Sequence, residues 1–411
     1  MVDKNLFLHD LAIVAILKNE GHYLKEWLDY HLLAGVDHFY LYDNESPDNQ
    51  AEVAKPYVEA GLVDYISAPG KVMQIAVYND AVKRFKFFCR YMAFIDGDEF
   101  IYPKLTGGGV IDIVDEILSH DPNAAGLTIN WKMFGSNGQE VADYSRGVLE
   151  RFTCCSKKID KLVKTIANPR VIDFLYIPHS AVYFNGTYAV DENGNIVSGP
   201  FNESLTAEKI VINHYHAKSR EEFAKKSQRG RSDTEMNTYN IENFDVNANS
   251  EEFDDGILKY RDERAQNFQL PDKSHADERL FSALAENLSP TLVPNTPIDF
   301  YAGKLETFLT CRAVAAYLQT KLTDAAPAKF FEEASLKAIL KALTSGTSFA
   351  DIQLLLSELP ELLKLPYPAV EELREACLHI IPQMMNVMRL NTRWKDFVEL
   401  DYIYRLLQIR K

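Results

Sequence analysis

The chain has 411 residues and only five cysteines, Cys89, Cys154, Cys155, Cys311 and Cys377. Their number is odd, one pair is vicinal and no Cys-x-x-Cys spacing occurs, which argues against a disulfide scaffold and against a zinc ribbon. Cations are scarce as well: 44 Lys and Arg stand against 59 Asp and Glu, a formal net charge of −15. A non-specific nucleic-acid binder needs an excess of cations to neutralise phosphates, so no nucleic-acid partner is expected. A local basic pocket for one phosphorylated ligand stays open. No long apolar run is found near the N-terminus; Leu11 to Leu17 is too short to span a bilayer. Met1 to Asp10 lacks the basic and apolar regions of a signal peptide. These absences point to a reducing, cytoplasmic location, with peripheral docking at the inner face of the cell membrane left open. What is present is an ordinary globular balance, 46% apolar and 25% charged, enough for two or three domains.

Residues 1 to about 100 alternate between two periods. Leu11-Ala-Ile-Val-Ala-Ile-Leu17 reads as a buried parallel strand. Leu24, Trp27, Leu28, His31 and Leu32 then share one face of a helix over 22–33, closed by Gly35. Asp37 to Tyr42 is a second strand, 48–60 a helix with Pro56 as a local fault, and Leu62 to Ser67 a third strand. A helix over 72–88 leads to a fourth strand, Tyr91 to Ile95, which runs directly into Asp96-Gly-Asp-Glu-Phe100. Strand and helix in strict alternation predict a doubly wound α/β sheet, whose ligands sit beyond the carboxyl ends of the strands. From 101 to 216 the pattern is less regular: Gly107-Gly-Gly109 marks a turn, and Ala124 to Trp131 and Ile210 to His216 read as strands. A charged helix is expected over 219–229 and a polar loop over 233–256. Beyond 297 the chain turns helical, near 298–321, 328–344, 349–359, 368–386 and 391–409, with Pro327, Pro360, Pro366 and Pro368 at the breaks.

Four patterns carry chemistry. Asp96 and Asp98, two residues apart on a turn after a strand, can share a hard divalent cation, Mn²⁺ or Mg²⁺, that takes phosphate oxygens as further ligands. The rival reading is a solvated acidic turn. His214 and His216 share a face of their strand and can offer a nitrogen ligand; a structural histidine is the alternative. Basic residues cluster at Lys157, Lys158, Lys161, Lys164 and Arg170, and again at Lys218, Arg220, Lys225, Lys226, Arg229 and Arg231. Such clusters suit a nucleotide diphosphate or anionic lipid, though most charge runs are solvated faces. Lys164 and Lys218 are selected as functional. Trp131-Lys-Met-Phe-Gly135-Ser-Asn-Gly138 reads as a tight turn, at a ligand or merely at the surface.

Ala15-Ile-Leu-Lys18-Asn19-Glu20, Leu24 to His31 and Gly35 to Asp48 resemble the opening of family 92-type glycosyltransferases, relatives of the family 2 group. Asp96-Gly-Asp98-Glu99-Phe100 is similar to that family's metal motif. Trp131 to Gly138, Lys164 to Pro169, Pro178-His-Ser180 and Asn213 to Ser219 continue the match in order, over roughly residues 10 to 231. The resemblance implies a GT-A (Rossmann-like) domain that moves a sugar from a nucleotide-sugar donor, a UDP-sugar, to a hydroxyl of a glycan or glycolipid. By the same analogy Lys18, Asn19, Glu20 and Asp43 border the nucleotide, and Gln74 and Asn79 the donor sugar. Asp96, Asp98 and His214 hold the metal, and Lys164 and Lys218 offset phosphate charge. Gly97 departs from the family's usual apolar residue, which is expected to loosen the turn without abolishing ligation. Inversion is the family's expected outcome, and its base is sought in Glu150 or Asp143.

The expected organisation is therefore a GT-A domain over 1–235, a linker or extension over 236–296 and an α-helical domain over 297–411. The helical part is assigned to a partner, a membrane surface or self-association, and the enzyme to cell-surface polysaccharide assembly. Two rivals are carried. One is a sugar-nucleotide-binding scaffold without turnover. The other is a phosphatase with an aspartate nucleophile, whose Asp-x-Asp normally sits on the first strand rather than the fourth.

Overall fold

The structure, a computed structural model, describes residues 7–86, 88–104, 108–183, 186–234, 240–245, 249–266, 268–274, 359, 363–364, 369–390 and 394–408. Its contacts divide the chain into two compact units, His9–Ala276 and Met1–Leu8 with Asp277–Lys411. The first unit begins with the expected alternation: β1 (His9–Leu17), α1 (Gly21–Leu33), β2 (His38–Asp43), α2 (Gln50–Glu59), β3 (Val63–Ser67), α3 (Gln74–Phe85) and β4 (Cys89–Phe94). It continues through β5 (Glu99–Pro103), α4 (Val110–Ser119), β6 (Ala124–Met133), α5 (Val148–Arg151), β7 (Cys154–Cys155) and β8 (Val163–Ala167). Then come β9 (Ile172–Ile177), β10 (Ser180–Tyr183), β11 (Tyr188–Val190), β12 (Ile196–Val197), β13 (Ile210–His214), α6 (Arg220–Arg229), β14 (Glu252–Phe253) and α7 (Gly256–Ala265).

Ten strands form one mixed sheet in the order β12-β11-β6-β8-β4-β1-β2-β3, with β13 pairing β5 and β6. β1 lies parallel to both β2 and β4, and β8 runs antiparallel between β4 and β6. This is the GT-A arrangement that the resemblance implied. β1 is buried along most of its length, as a continuous apolar run requires. α2 runs on through Pro56. The glycine-rich turn before α4 hid a helix whose apolar residues, Val110, Ile113, Val114 and Ile117, keep helical spacing and are buried. The polar stretch after 233 is likewise not all loop. β14 pairs with β7, and Tyr260 on α7 packs 6.3 Å from the Tyr30 ring on α1, so the first unit runs past residue 235.

The second unit shows two helices among its described residues, α8 (Ala369–Leu390) and α9 (Trp394–Gln408). Val370, Leu373, Cys377, Ile381, Met384 and Met388 are buried at three- and four-residue steps. Arg374, near the start of α8, donates to the Leu407 carbonyl at the end of α9, 2.8 Å away, so the two helices run antiparallel and a cation meets the negative end of α9. The helices expected near 298–321, 328–344 and 349–359, except Leu359 itself, lie outside the described residues.

α1 grips the strand that follows the acidic turn. Trp27 Nε1 donates to the Glu99 carbonyl at 2.8 Å, and the Tyr30 hydroxyl to the Ile101 carbonyl at 2.9 Å. His31 Nδ1 lies 2.8 Å from the Trp27 carbonyl, and Nε2 accepts from the Ile101 N–H at 3.2 Å. Burial pushes the His31 pKa down to about 3, which keeps the ring neutral and leaves Nε2 free to accept. Replacing His31 with Leu should strand the buried Ile101 N–H at a cost of about 1–3 kcal/mol. A lowered urea midpoint with unchanged slope is the expected reading; an unchanged midpoint would show that the grip contributes nothing.

Candidate active site

The acidic turn lies where β4 ends, beside the end of β1. Asp96 is enclosed by protein donors. Its Oδ1 accepts from Gln74 Nε2 at 2.5 Å and from the Tyr78 hydroxyl at 3.4 Å, and its Oδ2 accepts from Lys164 Nζ at 2.9 Å. Lys164 is fully buried, and its Nζ also lies 3.5 Å from Glu99 Oε2. Burial opposes its charge, but Asp96 and Glu99 outweigh that and raise the Lys164 pKa. Burial pushes Glu99 well up against the pull of Lys164.

Asp98 points the other way. Its Oδ1 lies 3.5 Å from His214 Nε2 and its Oδ2 2.6 Å from Lys226 Nζ. Burial would raise its pKa, yet Lys226 and His214 hold it well below the usual carboxylate range. His214 reaches this position through strand register: β13 runs antiparallel to β5 with His214 opposite Glu99, and the Tyr215 N–H donates to the Asp98 carbonyl at 2.8 Å. His216 follows two residues on, and its Nδ1 lies 3.1 Å from Lys226 Nζ. Burial, then the charge of Lys226, keep the His216 pKa well down, so its ring is neutral.

One ligand atom from each of Asp98, His214 and His216 lies within 4.8 Å of the others. His214 Nδ1 is buried without a hydrogen-bond partner. Two imidazoles and one carboxylate fit a divalent transition ion better than they fit Mg²⁺, which prefers all-oxygen surroundings.

Above these residues opens a cleft of about 890 Å³, within the range of small-molecule sites. Most of its carboxylates are already paired. Besides Asp96 and Asp98, Glu20 meets Lys218 at 3.4 Å and Arg229 at 2.8 Å, and Asp233 meets Arg231 at 2.6 Å. The fifth, Asp160, makes no ion pair among the described residues and accepts only the Leu162 N–H at 2.9 Å. Two lining cations, Lys18 and Lys71, likewise make no ion pair among the described residues. Val72, a β-branched residue at φ +55°, also lines the cleft in a backbone conformation of the kind that binding sites tolerate under strain.

A model of glycosyltransferase family 92 matches residues 14–254. The chain belongs to glycosyltransferase family 92. A family 92 protein of Ricinus communis is 27% identical over 224 residues, 54% of this chain and 38% of that relative. The galactan β-1,4-galactosyltransferase GALS2 of Arabidopsis thaliana is 33% identical over 89 residues, 19% of this chain and 17% of its own length. The chain thus spans well under two thirds of these relatives. Among solved structures, S. aureus TarS 1–349 aligns at 14% identity with a TM-score of 0.29, over 83% of this chain and 93% of that one.

The structure brings Lys18, Glu20, Gln74, Asp96, Asp98 and His214 to the cleft of this family 92 chain. Asn19, at φ +57°, and Lys218, at φ +52°, line an adjoining pocket of about 320 Å³ that shares Glu20, Asp98 and Lys226 with it. Lys164 acts from beneath, through Asp96. Asp43 is turned into the scaffold, where its Oδ1 accepts from the Ser46 N–H and from Gln50 Nε2, both at 3.1 Å. Asn79 is turned away too: it donates to the Leu175 carbonyl at 2.8 Å and accepts from the Leu175 N–H at 2.9 Å, stitching α3 to β9. Neither proposed base reaches the cleft. Glu150 is exposed and pairs with Arg261 at 3.2 Å, and Asp143 is exposed and accepts from Ser145. Sequence distance from the glycine-rich turn says nothing about where the intervening loop carries them. The residues passed over were Lys226 and Asp160. Lys226 had one usable signal, its i,i+3 spacing to Arg229 on a helix that follows the histidine pair.

Gly97 has a physical reason. A Cβ there would sit 2.7 Å from Leu17 Cδ2 and 3.5 Å from Glu20 Cγ, so the space an apolar residue would fill is already taken by the end of β1. The turn is packed rather than loosened. Gly97→Val should displace Leu17 or the turn itself. The expected result is a melting temperature lowered by several degrees together with weaker nucleotide binding; wild-type values for both would refute the packing argument.

Proposed function

We propose that this chain transfers a glycosyl group from a UDP-sugar to a hydroxyl of a glycan or glycolipid, with a divalent cation held at Asp98, His214 and His216. The observation that carries this reading is the convergence of an acidic turn and a histidine pair at the floor of a cation-rich cleft in a family 92 domain. Bound there, the cation would neutralise charge building up on the diphosphate leaving group. Lys18 and Lys71, without an ion pair among the described residues, are placed to meet phosphate oxygens. Asp96, locked between Gln74, Tyr78 and Lys164, positions the turn rather than ligating the ion.

An inverting displacement needs a base for the acceptor hydroxyl, and Asp160 suits this better than any other cleft carboxylate. Each of the others is neutralised by a cation, whereas Asp160 has none among the described residues. A carboxylate already shared with an ammonium or guanidinium holds its lone pairs too tightly to take a proton. Galactose heads the list of donor sugars, because one relative is a galactan galactosyltransferase. Work in cell-surface polysaccharide assembly at a cytoplasmic membrane face is part of the same proposal. Among the described residues no helix is long and apolar enough to cross a membrane.

Incubating the purified chain with Mn²⁺ and a panel of nucleotide sugars, UDP-galactose first, should release UDP from one donor, and a chelator should abolish the release. Silence from every donor, with UDP still raising the melting temperature, would favour a binding scaffold; silence without such a shift would refute the assignment. For the base, Asp160→Asn should lower kcat by about 10²–10⁴-fold while UDP affinity stays at the wild-type value. A wild-type kcat in that variant would remove Asp160 from the mechanism.

A further inference from the structure

Lys226 projects from the last turn of α6 into the group of atoms that would hold the metal. Its Nζ lies 2.6 Å from Asp98 Oδ2, 3.1 Å from His216 Nδ1 and 3.2 Å from the His216 carbonyl. A lysine ammonium has three N–H donors and no acceptor, so each of these contacts consumes a lone pair of its partner. Two of the three groups that would hold a divalent ion, the Asp98 carboxylate and the His216 ring, are thus already occupied by an ammonium. Ligand and ion would be about 2.0–2.2 Å apart, so an ion and an ammonium seated on the same two side chains would crowd and repel each other.

We propose that Lys226 is a resident cation of the metal seat, expelled when the ion binds and transferred to the donor diphosphate. This rests on the assignment of a metal to Asp98, His214 and His216. The exchange is a motion of one side chain. Lysine carries its charge on a flexible four-carbon stem, and the Lys226 side chain retains 16% exposure toward the cleft. Lys164 presents the opposite case: it is 1% exposed and contacts both Asp96 and Glu99, so it stays where it is. The two lysines divide the work, one holding the turn in place and one giving up its position. No bond is made or broken. Asp98 exchanges an ammonium for a divalent ion, and the displaced ammonium finds in a diphosphate the anion it has lost. Arg229, three residues on along the same helix face, also lines the cleft and stays paired with Glu20 at 2.8 Å.

Two consequences of opposite sign follow. Removing the ammonium should help the metal, because nothing has to be displaced, and should harm metal-free nucleotide binding, because the Asp98 carboxylate is then left uncompensated beside an anionic ligand. The test is a Mn²⁺ titration of the full chain, followed by calorimetry and by the spin-resonance signal of free Mn²⁺, on wild type and on Lys226→Met. UDP titrations in the presence of a chelator run in parallel. The expected result is a Mn²⁺ Kd lowered on the order of tenfold and a metal-free UDP Kd raised by a similar factor. Lys226→Gln, which keeps two donors and loses the charge, should move both constants in the same directions and serves if the methionine variant does not fold. Equal Mn²⁺ affinities in wild type and variants, or a weaker one in the variants, would overturn the exchange while leaving the metal site standing. Mn²⁺ that binds neither wild type nor variants would overturn the metal assignment and the exchange with it.

Discussion

The antiparallel pairing of β13 with β5 places His214 opposite Glu99, and the chemistry of the chain depends on that register. Successive side chains on a strand point to opposite faces, so a slip by one residue would turn His214 away from Asp98 and bring Asn213 into its place. Several contacts prevent the slip. Trp27, Tyr30 and His31 bind β5 through the Glu99 and Ile101 backbone groups, and the Tyr215 N–H carries the ladder on to the Asp98 carbonyl. On its other side β13 runs parallel to β6, with His214 against Met133. The imidazole is thus held by backbone pairing on both edges of its strand.

The second constraint is charge. In a chain of net charge −15 the cleft carboxylates are not left to repel one another. Asp96 is neutralised from below by a lysine with almost no exposure, and Gln74 and Tyr78 take further lone pairs of a carboxylate that stays partly open to the cleft. Asp98 is neutralised from the cleft side by a lysine that can leave. The two aspartates of one motif therefore differ in kind, a difference set by what packs beneath each and invisible in the motif itself. The same asymmetry leaves Lys18, Lys71 and Asp160 as the charges of the cleft with no ion-pair partner among the described residues, which is where an incoming anion and an incoming hydroxyl would find theirs.

The first hundred residues were legible because each element there is set by its own periodicity: β1 by its apolar run, α1 by Leu24, Trp27, Leu28 and His31, and the acidic turn by its place after β4. The motif aspartates and His214 could be singled out for the same local reason. What the sequence did not show was distance across the fold. α4 was hidden by the glycines in front of it, although its apolar spacing was present. Asp43 and Asn79 sit at the expected places in the chain but spend their hydrogen bonds on Ser46, Gln50 and Leu175. Glu150 and Asp143 lie away from the cleft lining because a loop between β6 and β8 can face either way, and the packing of α5 against α1 decides which.

That packing also explains why Lys226 stands where it does. Glu26 on α1 accepts from the Val148 and Leu149 N–H groups, fixing the first turn of α5. α5 then delivers Arg151 into the interior, where it donates to the Tyr23 hydroxyl at 2.8 Å and to Glu222 at 2.9 Å. Glu222 closes a capping box with Ser219 at the head of α6. A buried ion pair, a tyrosine and a helix cap therefore lock the N-terminal turn of α6 to α1. Its later turns carry Lys226 and Arg229 to the cleft as a consequence. One face of α1 fixes the strand behind the acidic turn and its first turns fix the helix in front of it, so the carboxylate and the cation that meets it are both referenced to the same rigid element. A site built in this way can let one side chain move without losing the geometry of the rest.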